Sequence, residues 1–292
     1  MAHKAGFVNI IGNPNVGKST LMNAMVGEKI SIITSKIQTT RHRILGILNG
    51  EDYQVVFSDT PGIIKPAYKL QESMMKFVGT ALSDADIILY VADVYEDPTE
   101  IVIVNTIKAM DTPVLLLINK IDLSNQDEVK RLIEKWQEIL PKAEISAISA
   151  KHGHNLEGIF SRIIELMPES PPYYDKDALT DRPERFFVSE IIREKILLNY
   201  KKEVPYSVEI EVDSFKEKED IIRIRSIVYV SRDSQKGILI GKQGMALKKT
   251  GTMAREDMEK FFGKKVFLEL HVKVLKDWRT NDSYLKKFGY NK

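Results

Sequence analysis

From residue 7 to about residue 167 the chain repeats one hydropathy pattern, in which short β-rich apolar runs alternate with stretches of helical periodicity. The runs FVNII, RILGIL, YQVVF, DIILYVAD, PVLLLIN and EISAIS predict strands, and helices are predicted from Lys18 and near 69–82. This alternation predicts a mostly parallel sheet wrapped by helices. RILGIL and YQVVF are separated only by NGED, and Asn49-Gly50 is a hairpin signal, so one antiparallel strand is expected at the sheet edge.

The pattern breaks in MPESPPYYDKDALTDRPE, which is rich in proline and charge and has no period. Beyond it the order of elements changes. FFVSEIIREKILLNY predicts a helix, YSVEIEVDSF and DIIRIRSIVYVSR two strands, and GILIGKQG a glycine loop; a helix then runs through about Phe262, and KVFLELHVKVL makes a last strand. The 292 residues therefore divide into a first domain over 1–170, a linker over 171–184, and a smaller α+β domain over 185–292 that ends in a basic tail. That length suits two domains of ordinary size.

With 43% hydrophobic and 29% charged residues, the composition is that of a globular protein. No apolar run approaches the roughly 18 residues that span a bilayer, and the start, MAHKAGFVNIIGNP, carries no apolar segment followed by a cleavage site. A cytoplasmic location is expected. The absence of cysteine excludes disulfides and thiolate metal sites. The formal charge of +2 hides an asymmetry: residues 222–292 hold 17 Lys and Arg against 7 Asp and Glu, a net +10, which leaves −8 on the rest. A basic module of this kind suits a polyanionic partner.

GNPNVGKST sets Gly12, Gly17, Lys18 and Ser19 at the spacing of a phosphate loop, between a predicted strand and a predicted helix. Glycines let backbone amides close on phosphates, a lysine reaches the outer phosphates, and the Ser19 hydroxyl can ligate magnesium. The stretch Gly12, Asn13, Pro14, Asn15, Val16, Gly17, Lys18, Ser19 and Thr20 is thus read as a nucleotide site. The base is specified by Asn119, Lys120 and Asp122 in NKID. A carboxylate at Asp122 can accept hydrogen bonds from N1 and N2 of guanine, whereas adenine offers it only a lone pair at N1. Asp59, Thr60, Pro61 and Gly62 in DTPGI follow a strand, which places Asp59 to hold magnesium and the Gly62 amide to sense a γ-phosphate. Ser149, Ala150 and Lys151 make SAK at another strand end, where the Ala150 amide can meet the guanine carbonyl. QTTRHR offers Thr40, or alternatively Thr39, to close over magnesium when a third phosphate is present.

In this order the five motifs resemble the signatures of the translation-factor-like GTPases, and the asparagines of the first motif with the paired threonines narrow the likeness to the branch of Era and EngA proteins. The resemblance covers residues 6 to about 167 and implies a P-loop GTPase fold, GTP and GDP as ligands with Mg2+, and hydrolysis by water. Asn15, Lys18, Thr40 and Gly62 form the expected catalytic set, and Ser19, Thr40 and Asp59 the metal set. Ras-type enzymes carry a glutamine directly after DxxG. Here the residue is Ile63, which removes that mechanism. In the branch it resembles, the asparagine at Asn15 helps to hold K+, which supplies positive charge at the reacting phosphate.

The second glycine loop is not a second nucleotide site. Gly237 and Gly241 stand one residue too close for a phosphate loop, and Gln243 occupies the place of the Ser or Thr. Gly241, Lys242, Gln243 and Gly244 match the GXXG loop of a KH domain, which clamps the backbone of about four nucleotides. Lys248 and Lys249 follow on the helix, and Ile238, Leu239 and Ile240 before the loop either floor the bases or belong to the core. A GTPase domain followed by a type II KH domain resembles the Era family of bacterial ribosome-assembly GTPases. That resemblance implies a monomer that binds the 3′ end of small-subunit ribosomal RNA within the small ribosomal subunit. The alternative is a membrane-associated GTPase in cell-cycle control, whose basic tail meets the inner membrane peripherally. His152, His154 and His271 are read as loop or strand residues rather than metal ligands, and Trp278, Tyr284, Phe288 and Tyr290 either pack on their own domain or stack on RNA.

Overall fold

The protein is described by a computed structural model covering residues 2–98 and 103–291. It divides into two compact units. The first comprises Met1–Ser31, Thr40–Lys65 and Met74–Asp181; the second comprises Ile32–Thr39, Pro66–Ser73 and Arg182–Lys292. Two short segments of the N-terminal half therefore fold with the C-terminal unit.

In the first unit, β1 (Lys4–Ile11), β2 (Ile44–Asn49), β3 (Tyr53–Asp59), β4 (Ile87–Asp93), β5 (Val114–Asn119) and β6 (Glu144–Ala147) form a sheet in the order β2-β3-β1-β4-β5-β6. All pairings are parallel except β2 with β3, whose hairpin is closed by Gly50 N donating to Tyr53 O at 2.9 Å. The helices α1 (Lys18–Val26), α2 (Lys69–Ser83), α3 (Val104–Lys108), α4 (Gln126–Ile139) and α5 (Leu156–Leu166) complete the α/β pattern, α2 beginning in the segment assigned to the second unit. Strand residues such as Ile88, Tyr90, Leu116 and Ile118 are fully buried, and Trp136 of α4 packs with them. The register sets Ile10 beside Asp59 and Asp93 beside Asn119, so the loops that follow β1, β3 and β5 leave the sheet at one edge. Ligands of parallel sheets bind at that carboxyl edge. The proline-rich stretch is strapped to this unit: Gln54 holds the backbone of Tyr173 and Tyr174, and Ile47 N donates to Leu179 O at 2.9 Å. A partner for the outer strand β2 of this kind blunts an exposed sheet edge.

The second unit contains α6 (Glu184–Asn199), β7 (Glu209–Glu217), β8 (Ile221–Val230), α7 (Asp233–Ile240), α8 (Met245–Phe262), β9 (Lys265–Val274) and α9 (Asp282–Lys287). β8 pairs antiparallel with β7 and parallel with β9. Val188, Ile192, Ile196, Val228, Leu239, Ala254 and Met258 close the core between this sheet and its helices. The sequence predicts a glycine loop from Gly237, whereas the chain forms α7 there and confines the loop to Gly241–Gly244. The reason is a local cap: the Gln235 side chain accepts from the backbone N of Ser231 and of Arg232. Only 8 residues long and interrupted by Gly237, α7 presents too few turns for its period to register. The aromatic tail packs on its own unit, with Trp278 buried and donating from Nε1 to Ser207 O at 3.0 Å.

Candidate functional site

β1 delivers the chain to Gly12 and α1 receives it at Lys18, and between them the backbone takes left-handed turns at Asn15 and Gly17. A Cβ on Gly17 would lie 2.2 Å from Asn119 Nδ2, and one on Gly62 would lie 2.7 Å from Pro14 Cα. These approaches require glycine and draw the NKID and DTPG segments onto the phosphate loop. Lys18 is buried, and its Nζ donates to Gly12 O at 2.9 Å and to Asn13 O at 2.7 Å. Burial pulls its pKa down to about 8, opposed by the charges of Asp59 and Glu96. A bound phosphate would restore the charge.

Asp59 ends β3 fully buried, and its Oδ2 accepts from Ser19 Oγ at 2.6 Å and from Thr40 Oγ1 at 3.2 Å. The two hydroxyls stand 3.0 Å apart. Asp59 Oδ1 is buried without a hydrogen-bond partner, and burial raises the carboxyl pKa above its ordinary range. Three hard oxygens and an unpartnered carboxylate atom fit a divalent cation, which would reverse that shift. Thr39, the alternative to Thr40, turns away: its Oγ1 donates to Lys36 O at 2.6 Å and meets Thr34 Oγ1 at 2.6 Å. Thr60 fixes the next turn by donating to Ile10 O at 2.7 Å, and Ile63 packs against the core, with no polar atom to orient water.

At the base end, Asp122 accepts from Ser149 Oγ at 2.6 Å, and this bond holds its carboxyl below the usual range. It is therefore ionised and acceptor-only at neutral pH. The geometry gives Asn119 a task beside the expected base contact: its Nδ2 donates to Val16 O at 2.8 Å and its Oδ1 accepts from Ala150 N at 2.9 Å. Asn119 is a strut joining the phosphate loop to SAK. Lys120, left-handed at φ 64°, pairs with Asp93 at 2.8 Å, and Lys151 is exposed. Near the same loop His152 lies 3.7 Å from Asp122, and among the described residues no His, Cys, Asp or Glu cluster is arranged to hold a metal.

In the second unit, Gly241, Gln243 and Gly244 have positive φ of 70°, 53° and 76°; Gln243 and Gly244 are left-handed helical, and Gly241 has ψ −180°. A Cβ on Gly241 would meet Ala246 Cβ at 2.6 Å. The loop thus joins α7 to α8 in a turn that presents Lys242 and Gln243 to solvent, with Lys248 and Lys249 exposed on α8. Ile240 packs on the core, so it supports the loop from beneath, whereas Ile238 and Met245 are the large apolar side chains exposed beside it.

Two family models match the chain: 50S ribosome-binding GTPase over residues 7–120 and KH domain over residues 203–279. The chain is 48% identical over 294 residues to GTPase Era of Caldanaerobacter subterraneus subsp. tengcongensis, covering 99% of each, and 48% identical to GTPase Era of Thermoanaerobacter sp., covering 97% of that protein. It belongs to the Era family of GTPases. A crystal structure of Era in complex with MgGDPNP and nucleotides 1506-1542 of 16S ribosomal RNA superposes with a TM-score of 0.94 at 38% identity, covering 99% of this chain and 100% of that one. A point variant of Aquifex aeolicus Era bound to GDP.AlF4- gives a TM-score of 0.95 at 39% identity over the same shares. Two features of this Era-family chain escape motif reading. Glu96, pushed up to about 7 by burial, anchors the Asn13 carboxamide at 2.5 Å, and Tyr200 lies behind the KH loop. Neither stands in a motif, and each meets its partner only through the fold.

Proposed function

We propose that this chain is a GTP-hydrolysing switch that binds single-stranded RNA near the 3′ end of small-subunit ribosomal RNA during assembly of that subunit. What carries the reading is the presence of two loops shaped for phosphates, Gly12–Gly17 and Gly241–Gly244, in one chain alike over its length to an Era that holds MgGDPNP and 16S ribosomal RNA. Lys18 and the phosphate-loop amides would bind the phosphates, and Ser19, Thr40 and Asp59 would hold Mg2+, which would offset charge on the transferred phosphoryl group. Asp122 accepts from guanine N1 and N2. Gly62, packed on Pro14, would report the third phosphate through its amide, and Ile63 leaves water to be oriented without a side-chain base. Asn15, exposed on the phosphate loop, would help to hold K+, which would supply positive charge at the reacting phosphate.

The test is binding of a short RNA copying that 3′ end, with the protein held in GDP or in a non-hydrolysable GTP analogue. Binding that tightens several-fold with the analogue supports a gated clamp, and no binding in either state overturns the RNA reading. Turnover measured in potassium and in sodium checks the role of Asn15: wild type is faster in potassium, and Asn15→Ala loses the difference. We take the chain to act as a cytoplasmic monomer. Binding to anionic liposomes that survives loss of Gly241 and Gly244 would instead favour peripheral membrane contact through the basic tail.

A further inference from the structure

The loop that faces RNA is tied from behind by one hydroxyl. α7 ends at Ile240, so its last carbonyls lack intrahelical donors; Gly241 N satisfies Gly237 O at 2.9 Å. Leu239 is fully buried, beyond the reach of water, and its carbonyl accepts from Tyr200 Oη at 2.7 Å. Tyr200 Oη in turn accepts from Thr250 Oγ1 of α8 at 3.3 Å, and Thr250 accepts from Asn199 Nδ2 at 3.3 Å. The Tyr200 hydroxyl thereby bridges the two helices that Gly241–Gly244 joins. Its backbone is held as well: Lys36 Nζ donates to Leu197 O and Tyr200 O, the open carbonyl end of α6. Thr39, the residue before Thr40, donates to Lys36 O at 2.6 Å. Every one of these groups lies within the second unit.

We infer that Tyr200 is a positioning residue for RNA binding, fixing the separation of α7 and α8 at the Gly241–Gly244 turn, and that Lys36 acts through it by capping α6 beneath Tyr200. The inference rests on the RNA reading above. Removing the hydroxyl strands a buried carbonyl, which can regain a partner only if the end of α7 turns toward water. That movement displaces Gly241, which packs so closely on Ala246 that a Cβ there would lie 2.6 Å from the Ala246 Cβ.

The experiment measures affinity for the same short ribosomal RNA, with the full chain saturated in GTP analogue and melting temperature read in parallel. Tyr200→Phe is expected to weaken RNA by about tenfold, the scale of one stranded buried carbonyl, in a protein that still melts cooperatively. Lys36→Met is expected to weaken it several-fold and Lys36→Arg to restore it, because a guanidinium can also donate to both carbonyls. The double variant Lys36→Met with Tyr200→Phe should bind no more weakly than Tyr200→Phe alone, as expected of residues that act in series. Should Tyr200→Phe fail to fold, Thr250→Val interrupts the same bridge from α8 and should also weaken RNA. Wild-type affinity in a folded Tyr200→Phe or Thr250→Val protein overturns the inference, as does a Lys36→Met loss that Arg does not restore. Failure of wild type itself to bind RNA would sink the parent reading instead.

Discussion

A single side chain, Lys18, illustrates how burial and function meet at one residue. Its Nζ is held by two backbone carbonyls and desolvated, so its pKa falls to about 8, where an exposed lysine would titrate near 10.5. The nucleotide-free protein therefore carries mostly neutral Lys18 above pH 8, and phosphate, which favours the cation, must draw a proton from solvent. Calorimetry of GDP binding in buffers of different ionisation enthalpy should show little proton uptake at pH 7 and uptake rising toward one proton near pH 9. Uptake that does not change over that range would refute this account. Lys18 was legible in the sequence because its spacing from Gly12 and Gly17 identifies it. Asn119 was legible only as a position: that its carboxamide joins Val16 to Ala150 depends on residues 103 and 31 positions away.

At the scale of elements, strands were readable because consecutive apolar residues have few other uses, and the Asn49-Gly50 hairpin because its turn is local. α7 was not readable, since its cap depends on a glutamine reaching back to two amides and not on a preferred capping residue. The turn it enters makes a graded prediction. Both glycines have positive φ, but Gly244 lies in the left-handed helical region whereas Gly241, at φ 70° and ψ −180°, lies where only glycine readily sits, and a Cβ on Gly241 strikes Ala246 at 2.6 Å while one on Gly244 has nothing within 4 Å. Gly244→Ala costs only the backbone penalty of about 1–2 kcal/mol. Gly241→Ala carries a larger backbone penalty and must in addition separate α7 from α8. RNA affinity should therefore fall further in Gly241→Ala than in Gly244→Ala, and the reverse order in a filter-binding titration would show that helix separation is not what the RNA reads.

For the molecule as a whole the informative quantity is charge distribution. The chain is almost neutral at +2, yet residues 222–292 carry +10, and Lys242, Lys248 and Lys249 stand exposed at or beside the second loop. Single-stranded binding loses about 0.7 of a log–log salt slope per phosphate neutralised, so three lysines predict a slope of about −2. Lys248→Ala should reduce it by about 0.7 if each lysine meets one phosphate. A flat salt response would place the affinity in apolar contacts around Ile238 and Met245 instead.

The sequence by itself determined the two architectures, the nucleotide loops and the KH turn, because each is a short motif whose chemistry needs fixed residue types at fixed spacing at the end of a strand or helix. Tertiary structure alone decided that Thr40 rather than Thr39 meets Ser19 and Asp59, that Ile32–Thr39 and Pro66–Ser73 fold with the second unit, and that Tyr200 bridges α7 and α8. Each of those outcomes rests on which buried polar group finds its partner, often tens or hundreds of residues away, and low-dielectric burial makes that pairing obligatory without leaving a local trace in the chain.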